Sequence, residues 1–193
     1  LVTDTWKMDH SDWYYFGKDA ASLEGLNTIN GVTYYFNNGH MSTLYAVSGG
    51  DKNYICDKDG VAHEVSGNNK WLKYNDVYFY INDNGFLRDT VEKIDGAYYG
   101  FDNAGKMYAD ELFNISKAWN GESYENRWFY ANESGTLTTN KWMTYQNDKY
   151  YFGADGASLN GMRTIDGGQY YFEWGRLITN GAYGFGEKNY VSD

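Results

Sequence analysis

Leu26-Asn27-Thr28-Ile29-Asn30-Gly31-Val32-Thr33-Tyr34-Tyr35-Phe36 is the stretch that decides the fold. Two short strand-like runs flank Asn-Gly, the pair that a type I′ turn needs because both of its central residues take positive φ. The stretch therefore predicts a β-hairpin. It returns as Met162-Arg163-Thr164-Ile165-Asp166-Gly167-Gly168-Gln169-Tyr170-Tyr171-Phe172. Working outward, four-residue aromatic-rich blocks recur at 13–16, 33–36, 53–56, 78–81, 98–101, 128–131, 149–152 and 169–172. From one third position to the next the steps are 20, 20, 25, 20, 30, 21 and 20 residues, which marks a repeat architecture.

Further marks accompany each block. Seven residues before its first position stand Trp6, Leu26, Ala46, Trp71, Val91, Trp142 and Met162. The sixth block instead has Trp119 nine residues upstream, which reads as a local insertion. Between mark and block lie Asn30-Gly31, Asn75-Asp76, Asp95-Gly96, Asn147-Asp148 and Asp166-Gly167, and after the blocks come Gly-x-Leu/Met turns such as Gly105-Lys106-Met107 and Gly135-Thr136-Leu137. One hairpin is marginal in water, whereas stacked hairpins bury a continuous core. The chain thus reads as all-β, a solenoid of eight stacked β-hairpin repeats of about 20 residues, with residues 1–193 forming a single array. A ninth repeat starts at Tyr183, with Tyr190 seven residues on, so the array is expected to be a piece of a longer protein.

Strand alternation sorts the rings into two faces. Position two of the block is aromatic throughout (Tyr14, Tyr34, Tyr54, Phe79, Tyr99, Phe129, Tyr150, Tyr170) and position four is apolar, so this face is assigned to the core. Position one drifts from Trp13 and Trp128 to Lys149 and Gln169, which places it where binding can differ between repeats.

Composition narrows the function. Net charge is -10 with a pI near 4.7, which argues against the clustered cations that a nucleic-acid backbone requires. The apolar runs fall far short of the roughly 18 residues that span a bilayer, so no membrane insertion is expected. The chain opens LVTDTWKMDH, and any export signal is expected to lie outside it. A single cysteine, Cys56, excludes an internal disulfide framework and a thiolate zinc cluster, and its place at the end of block three reads as a small buried hydrophobe. Aromatics make up 20% of the chain, so rings must serve as core and surface at once.

Catalysis and metal binding find little support, although carboxylates are plentiful and spacing alone leaves a glycosidase pair open. His10, His40 and His63 fall in turn-like stretches, and no nucleophile-elbow, P-loop or zinc-helix motif occurs. A thin solenoid also lacks a deep cleft in which to raise a carboxyl pKa. Asp57-Lys58-Asp59-Gly60 imitates the start of a calcium loop, but the twelfth position, where an EF-hand needs Glu, is Asn68. No catalytic residue, metal or cofactor is expected.

The quoted repeats closely resemble the cell-wall-binding repeat superfamily, which includes glucan-binding repeats of bacterial glucansucrases, choline-binding modules of wall hydrolases and the repetitive carbohydrate-binding regions of bacterial toxins. Blocks three, five and six depart from the pattern, with Ile55, Gly100 and the gap before Trp128. The resemblance implies a non-catalytic, secreted or cell-surface bacterial binding array with ligands held between consecutive hairpins. In the choline-binding branch the site is an opening Trp, an aromatic at block position one and a ring from the next repeat. That pattern points to Trp6 with Trp13, Trp71 with Tyr78 and Trp119 with Trp128. Glucan-binding branches add polar side chains, which points to Trp142, Lys149 and Tyr151 and to Gln169 and Tyr171.

The two ligands ask for different chemistry. A sugar ring wants one flat aromatic with hydrogen-bonding neighbours, whereas a quaternary ammonium, without donors, wants an aromatic cage. Because the best-matching repeats open with Leu26 and Met162 and carry Thr33 and Gln169 at position one, a cage there lacks two walls. The expected partner is therefore a polysaccharide or oligosaccharide, an α-glucan by preference. The alternatives are anchoring to choline on teichoic acid, and an accessory domain of a secreted glucansucrase or glycoside hydrolase. Every ring named here can equally serve packing in a chain so poor in aliphatics.

Overall fold

Asn-Gly, Asp-Gly and their relatives act as their φ preferences require. The central turn residues take left-handed φ in pairs: His10 and Ser11 (47° and 91°), Asn30 and Gly31 (50° and 83°), Asn75 and Asp76 (48° and 64°), Asp95 and Gly96 (50° and 89°), and Asp166 and Gly167 (49° and 83°). Each pair closes an antiparallel hairpin. The structure, a computed structural model, describes residues 1–49, 51–115 and 127–179 and the backbone of the last two strands. In chain order, hairpin one joins Thr5–Asp9 to Asp12–Phe16, two joins Gly25–Ile29 to Val32–Asn37, three joins Tyr45–Gly49 to Lys52–Cys56, and four joins Lys70–Tyr74 to Val77–Asn82. Hairpin five joins Thr90–Ile94 to Ala97–Phe101, six joins Glu111–Asn114 to Trp128–Ala131, seven joins Lys141–Tyr145 to Asp148–Phe152, and eight joins Gly161–Ile165 to Gly168–Glu173. Ala182–Phe185 pairs with Lys188–Val191 as a ninth, with Tyr183 opposite Tyr190. The described residues contain no helix, and none is long and apolar enough to cross a membrane.

Two turn assignments need correction. Hairpin seven turns at Gln146 and Asn147 (φ 48° and 71°), one residue ahead of the expected Asn147-Asp148. Asp148 already pairs with Tyr145, and this register sets Trp142 opposite Tyr151. In hairpin six the residue opposite Tyr130 is Leu112, in the place that Trp142 holds opposite Tyr151 and Trp71 opposite Tyr80. The opening residue is therefore Leu112, not Trp119, and the insertion lies within the hairpin connection, at 115–127. Burial sets this register, because Phe113 and Ile115 enter the core only from this strand. Trp119 itself lies outside the described residues.

His40 and His63 also sit on strands rather than in turns. His40–Met41 pairs with both hairpin one and hairpin two, linking them into one five-stranded sheet, and Ala62–Val65 adds a third strand to hairpin three. Gly85–Phe86 and Arg176–Leu177 do the same for hairpins four and eight.

The face assignment holds for position four except Phe16, and in part for position two, where Phe79, Phe129 and Tyr150 are buried while Tyr14, Tyr34, Tyr54, Tyr99 and Tyr170 are half-buried. Phe36, Cys56, Ile81, Phe101, Ala131, Phe152 and Phe172 at position four are fully buried, whereas position one includes the exposed Trp13, Tyr78, Lys149 and Gln169. Contacts group the hairpins into two compact units, Leu1–Arg88 with Phe101–Met107, and Asp89–Gly100 with Tyr108–Asp193. The first is cored by Ala46, Ile55, Val65, Phe79 and Ile81, and the second by Val91, Phe113, Ile115, Phe129, Ala131, Leu137 and Ala157.

Two devices fasten one hairpin to the next. The carbonyl of block position one accepts an amide hydrogen bond from the turn after the following block: Tyr78 from Met107 and Tyr98 from Leu137, both at 2.8 Å, and Trp128 from Ser158 at 2.7 Å. The turn mark, Gly-x-Leu/Met in the first two and Gly156-Ala157-Ser158 in the third, is thus an inter-repeat backbone clasp. The second device is the opening tryptophan, described below with the candidate sites.

Cys56 is fully buried, and burial pushes its thiol up to about 12, so little thiolate is present at neutral pH. Folded protein is expected to react with Ellman's reagent orders of magnitude more slowly than urea-unfolded protein. Equal rates would place Cys56 at the surface.

Candidate ligand-binding sites

The opening tryptophans meet rings from two hairpins at once. Trp142 stands edge-on to Tyr151 of its own hairpin (centroids 5.2 Å apart) and to Tyr170 of hairpin eight (4.9 Å), and stacks on Phe172 (5.8 Å). Trp6 repeats this with Tyr15 at 5.2 Å, Tyr34 at 5.0 Å and Phe36 at 5.8 Å. Trp71 meets Tyr80 at 5.0 Å and Phe101 of hairpin five at 5.9 Å. Edge-to-face pairs at such distances are favourable by about 0.5–1.5 kcal/mol beyond area burial. The indoles are half-buried, so they join the hairpins and stay partly open to solvent.

Position one supplies the exposed partner. Trp13, 43% exposed, lies 6.3 Å from Trp6 at 86°. Together with Tyr34, Met41 and Asp59 these two rings line a cavity of about 310 Å³. Three of the lining groups are aromatic, the fourth is a thioether and the fifth a carboxylate that Lys58 Nζ holds at 2.8 Å.

Elsewhere a lysine already occupies the ring face. Lys149 Nζ lies 4.9 Å from the Trp142 ring, Lys73 Nζ 5.3 Å from Tyr78, and Lys93 Nζ 5.2 Å from Tyr98. The structure therefore brings Trp142, Lys149 and Tyr151 together. Gln169 lies exposed opposite Thr164, and Tyr171 is half-buried opposite Met162.

Trp128 lines a different cavity, of about 610 Å³, with Asn114, Glu173, Trp174, Arg176 and Ile178. Of these only Trp128 stands out from block position. The signal for Trp174 was in the turn preceding each Gly-x-Leu/Met mark, where it is the only bulky residue. Tyr34, Met41 and Asp59 become site residues only through the neighbouring strand and turn that approach Trp6 and Trp13.

The calcium-like loop uses its oxygens internally. Asp57 Oδ1 accepts from the amides of Asp59 (2.9 Å) and Val61 (3.0 Å), and its Oδ2 lies 2.8 Å from His63 Nε2. Partial burial opposes ionisation, but the His63 and amide hydrogen bonds outweigh it and hold this carboxyl below its ordinary range. The segment is an Asx turn.

The sequence profile of the putative cell wall binding repeat matches residues 4–19, 24–39 and 140–158, within which lie hairpins one, two and seven. The chain is 34% identical over 167 residues to glucosyltransferase-S of Streptococcus mutans serotype c, covering 84% of this chain and 11% of that protein. It is 28% identical over 186 residues to glucosyltransferase-I of Streptococcus downei, covering 89% and 10%. The chain thus spans about a tenth of the length of these relatives. Among solved structures, choline binding protein F from Streptococcus pneumoniae, determined in the presence of a peptidoglycan analogue, superposes with a TM-score of 0.48 at 22% identity, covering 88% of this chain and 56% of that one.

Proposed function

We propose, for a chain that carries cell-wall-binding repeats, that it is a non-catalytic carbohydrate-binding region that holds a larger secreted bacterial protein on a glycan, an α-glucan by preference. Within each unit the amide clasp and the opening rings join one hairpin to the next, which supports a solenoid reading in which several modest sites act together through effective concentration. Any catalysis belongs to other parts of the parent protein.

The observation that carries glycan over choline is the lysine on the ring at hairpins four, five and seven. A face that already holds an ammonium repels a second cation. For a sugar the same lysine is an asset, because its N–H groups donate to hydroxyls while the ring takes the C–H face.

Hairpin one favours the second reading. None of the lysine–ring contacts described above falls on Trp6, Trp13 or Tyr34, and Asp59, whose carboxylate is held by Lys58 Nζ at 2.8 Å, lines their cavity. It has the form of a quaternary-ammonium cage.

Titration of the whole chain by tryptophan fluorescence separates the two. Saturable binding to a soluble α-glucan, undiminished by choline, is the expected result, with no new reducing ends released during incubation. Saturable choline binding at millimolar concentration with no retention on any glucan would overturn the glycan reading and leave hairpin one as the working site. Release of reducing ends that one carboxylate substitution abolishes would overturn the non-catalytic assignment.

A further inference from the structure

Trp174 is poorly served by its own turn. It precedes the turn glycine after block eight, where the other repeats place Asn38, Asp59, Asn84, Ala104, Ser134 and Asp155. Its φ is +53°, nearly that of the equivalent Asn38 at +51°. Asn tolerates this left-handed region because its short amide bonds locally, whereas for a bulky side chain it is an outlier. The indole is 58% exposed, so burial does little to offset the strain. Strain kept at an exposed position calls for a functional reason.

The cavity beside it supplies one. Its volume of about 610 Å³ lies within the range of roughly 300–1,000 Å³ usual for small-molecule sites. Trp128, its second indole, is held in place: its amide donates to Ser158 Oγ at 2.8 Å, and Arg127 Nε donates to the Ser158 carbonyl at 3.0 Å. The turn itself is pressed against this support. A Cβ on Gly175 would collide with Ser158 Oγ and lie 3.0 Å from Trp128 Cδ1, and φ there is +80°. Asp148 orients Arg176 at 3.2 Å, and Arg176 stands opposite Glu173 across the strand pair.

The polar groups decide the ligand class. Glu173 offers acceptors, Arg176 offers donors and Asn114, whose Nδ2 donates to the Arg127 carbonyl at 2.7 Å, offers its amide oxygen. With Asp148 on the guanidinium as well, the three charges leave one net negative, which disfavours a free anion; what the groups offer a ligand is donors and acceptors side by side. Paired donors and acceptors beside flat indoles suit the hydroxyl rim and C–H face of a neutral sugar.

We infer that Trp128, Trp174, Glu173, Arg176 and Asn114 form a carbohydrate site for a neutral pyranose unit, built on a turn residue outside the repeat's block positions. The inference rests on the glycan reading and adds a site to it.

The test uses the full chain and its indole N–H NMR signals, with those of Trp128 and Trp174 assigned by substitution, titrated with maltotriose, isomaltotriose and choline. Both signals are expected to shift saturably with a trisaccharide and not with choline. In Trp174→Asn the Trp128 shift should need about tenfold more sugar, while Tm stays the same or rises, because Asn suits the left-handed turn. Glu173→Gln should weaken binding severalfold with Tm unchanged. A Trp128 signal that titrates identically in Trp174→Asn, or a lowered Tm in that variant, overturns the site while other indoles that still respond to sugar keep the array reading intact. Shifts driven by choline also overturn it. If no indole of the unmodified chain responds to either sugar, both readings fall.

Discussion

Replacing Trp142 with alanine is expected to destabilise the chain by about 3–5 kcal/mol, read as a lowered urea midpoint, before any effect on ligand is considered. The reason is the position of the indole between hairpins seven and eight. It loses its contacts with Tyr151, Tyr170 and Phe172 together, and the last of these is fully buried. In a repeat array, stability is a sum of weak intrinsic terms and interface terms, so removal of one interface lets the terminal hairpins open separately. Trp13→Ala is the matching control: Trp13 is 43% exposed and should cost no more than about 1 kcal/mol. An unchanged midpoint in Trp142→Ala would refute the joint. A loss of glycan binding in that variant must then be separated from unfolding, and Lys149→Ala does so. It removes the ammonium 4.9 Å from the same ring while leaving the three ring contacts in place.

This double role explains what was legible in the chain and what was not. A hairpin is a local object. Asn30-Gly31 and Asp166-Gly167 set turn type, and alternation along Tyr34-Tyr35-Phe36 sets the buried face, so both were readable within about ten residues. The register of hairpin six was not. Its opening strand carries Leu112 instead of a ring, its connection runs through 115–127, and the pairing is decided by where Phe113 and Ile115 are buried. Candidate sites were half legible for the same reason. The pairing of Trp6 with Trp13 follows from one hairpin, but the third wall, Tyr34, comes from the next hairpin, and Met41 and Asp59 come from segments that follow later in the chain. Lysines over rings were legible in part: Lys73 stands directly opposite Tyr78, whereas Lys149 pairs with Thr144 and reaches Trp142 diagonally. Trp174 is not legible from the turn glycines, because what sets it apart is the residue before Gly175.

Restoring the repeat's own tyrosine at Gly100 is expected to damage the fold, against the usual gain from consensus substitutions. Position three is Tyr in six of the eight blocks, and hairpin five has glycine there. The structure gives the reason: the Phe113 ring, from hairpin six, fills the space. A Cβ on Gly100 would lie 2.6 Å from Phe113 Cε2 and 3.2 Å from Cε1, well inside van der Waals contact. A ring tip at the end of a mobile side chain would move aside at little cost, but Phe113 cannot. It is stacked on Tyr108 (3.9 Å, 11°) and on Phe129 (5.5 Å, 20°), and is itself buried in the core of the second unit. Overpacking of this kind costs about 1–3 kcal/mol for an added methyl, so Gly100→Ala should fall in that range and Gly100→Tyr above it. The decisive measurement is the double variant. Met143 of hairpin seven stands opposite Tyr150 as Phe113 stands opposite Phe129, and methionine is the more adaptable side chain. Gly100→Tyr with Phe113→Met should therefore recover at least about 1 kcal/mol relative to the sum of the single changes, a coupling that only residues in contact show. Additive losses in chemical denaturation, or a neutral Gly100→Tyr, would mean that Phe113 does not fill the gap.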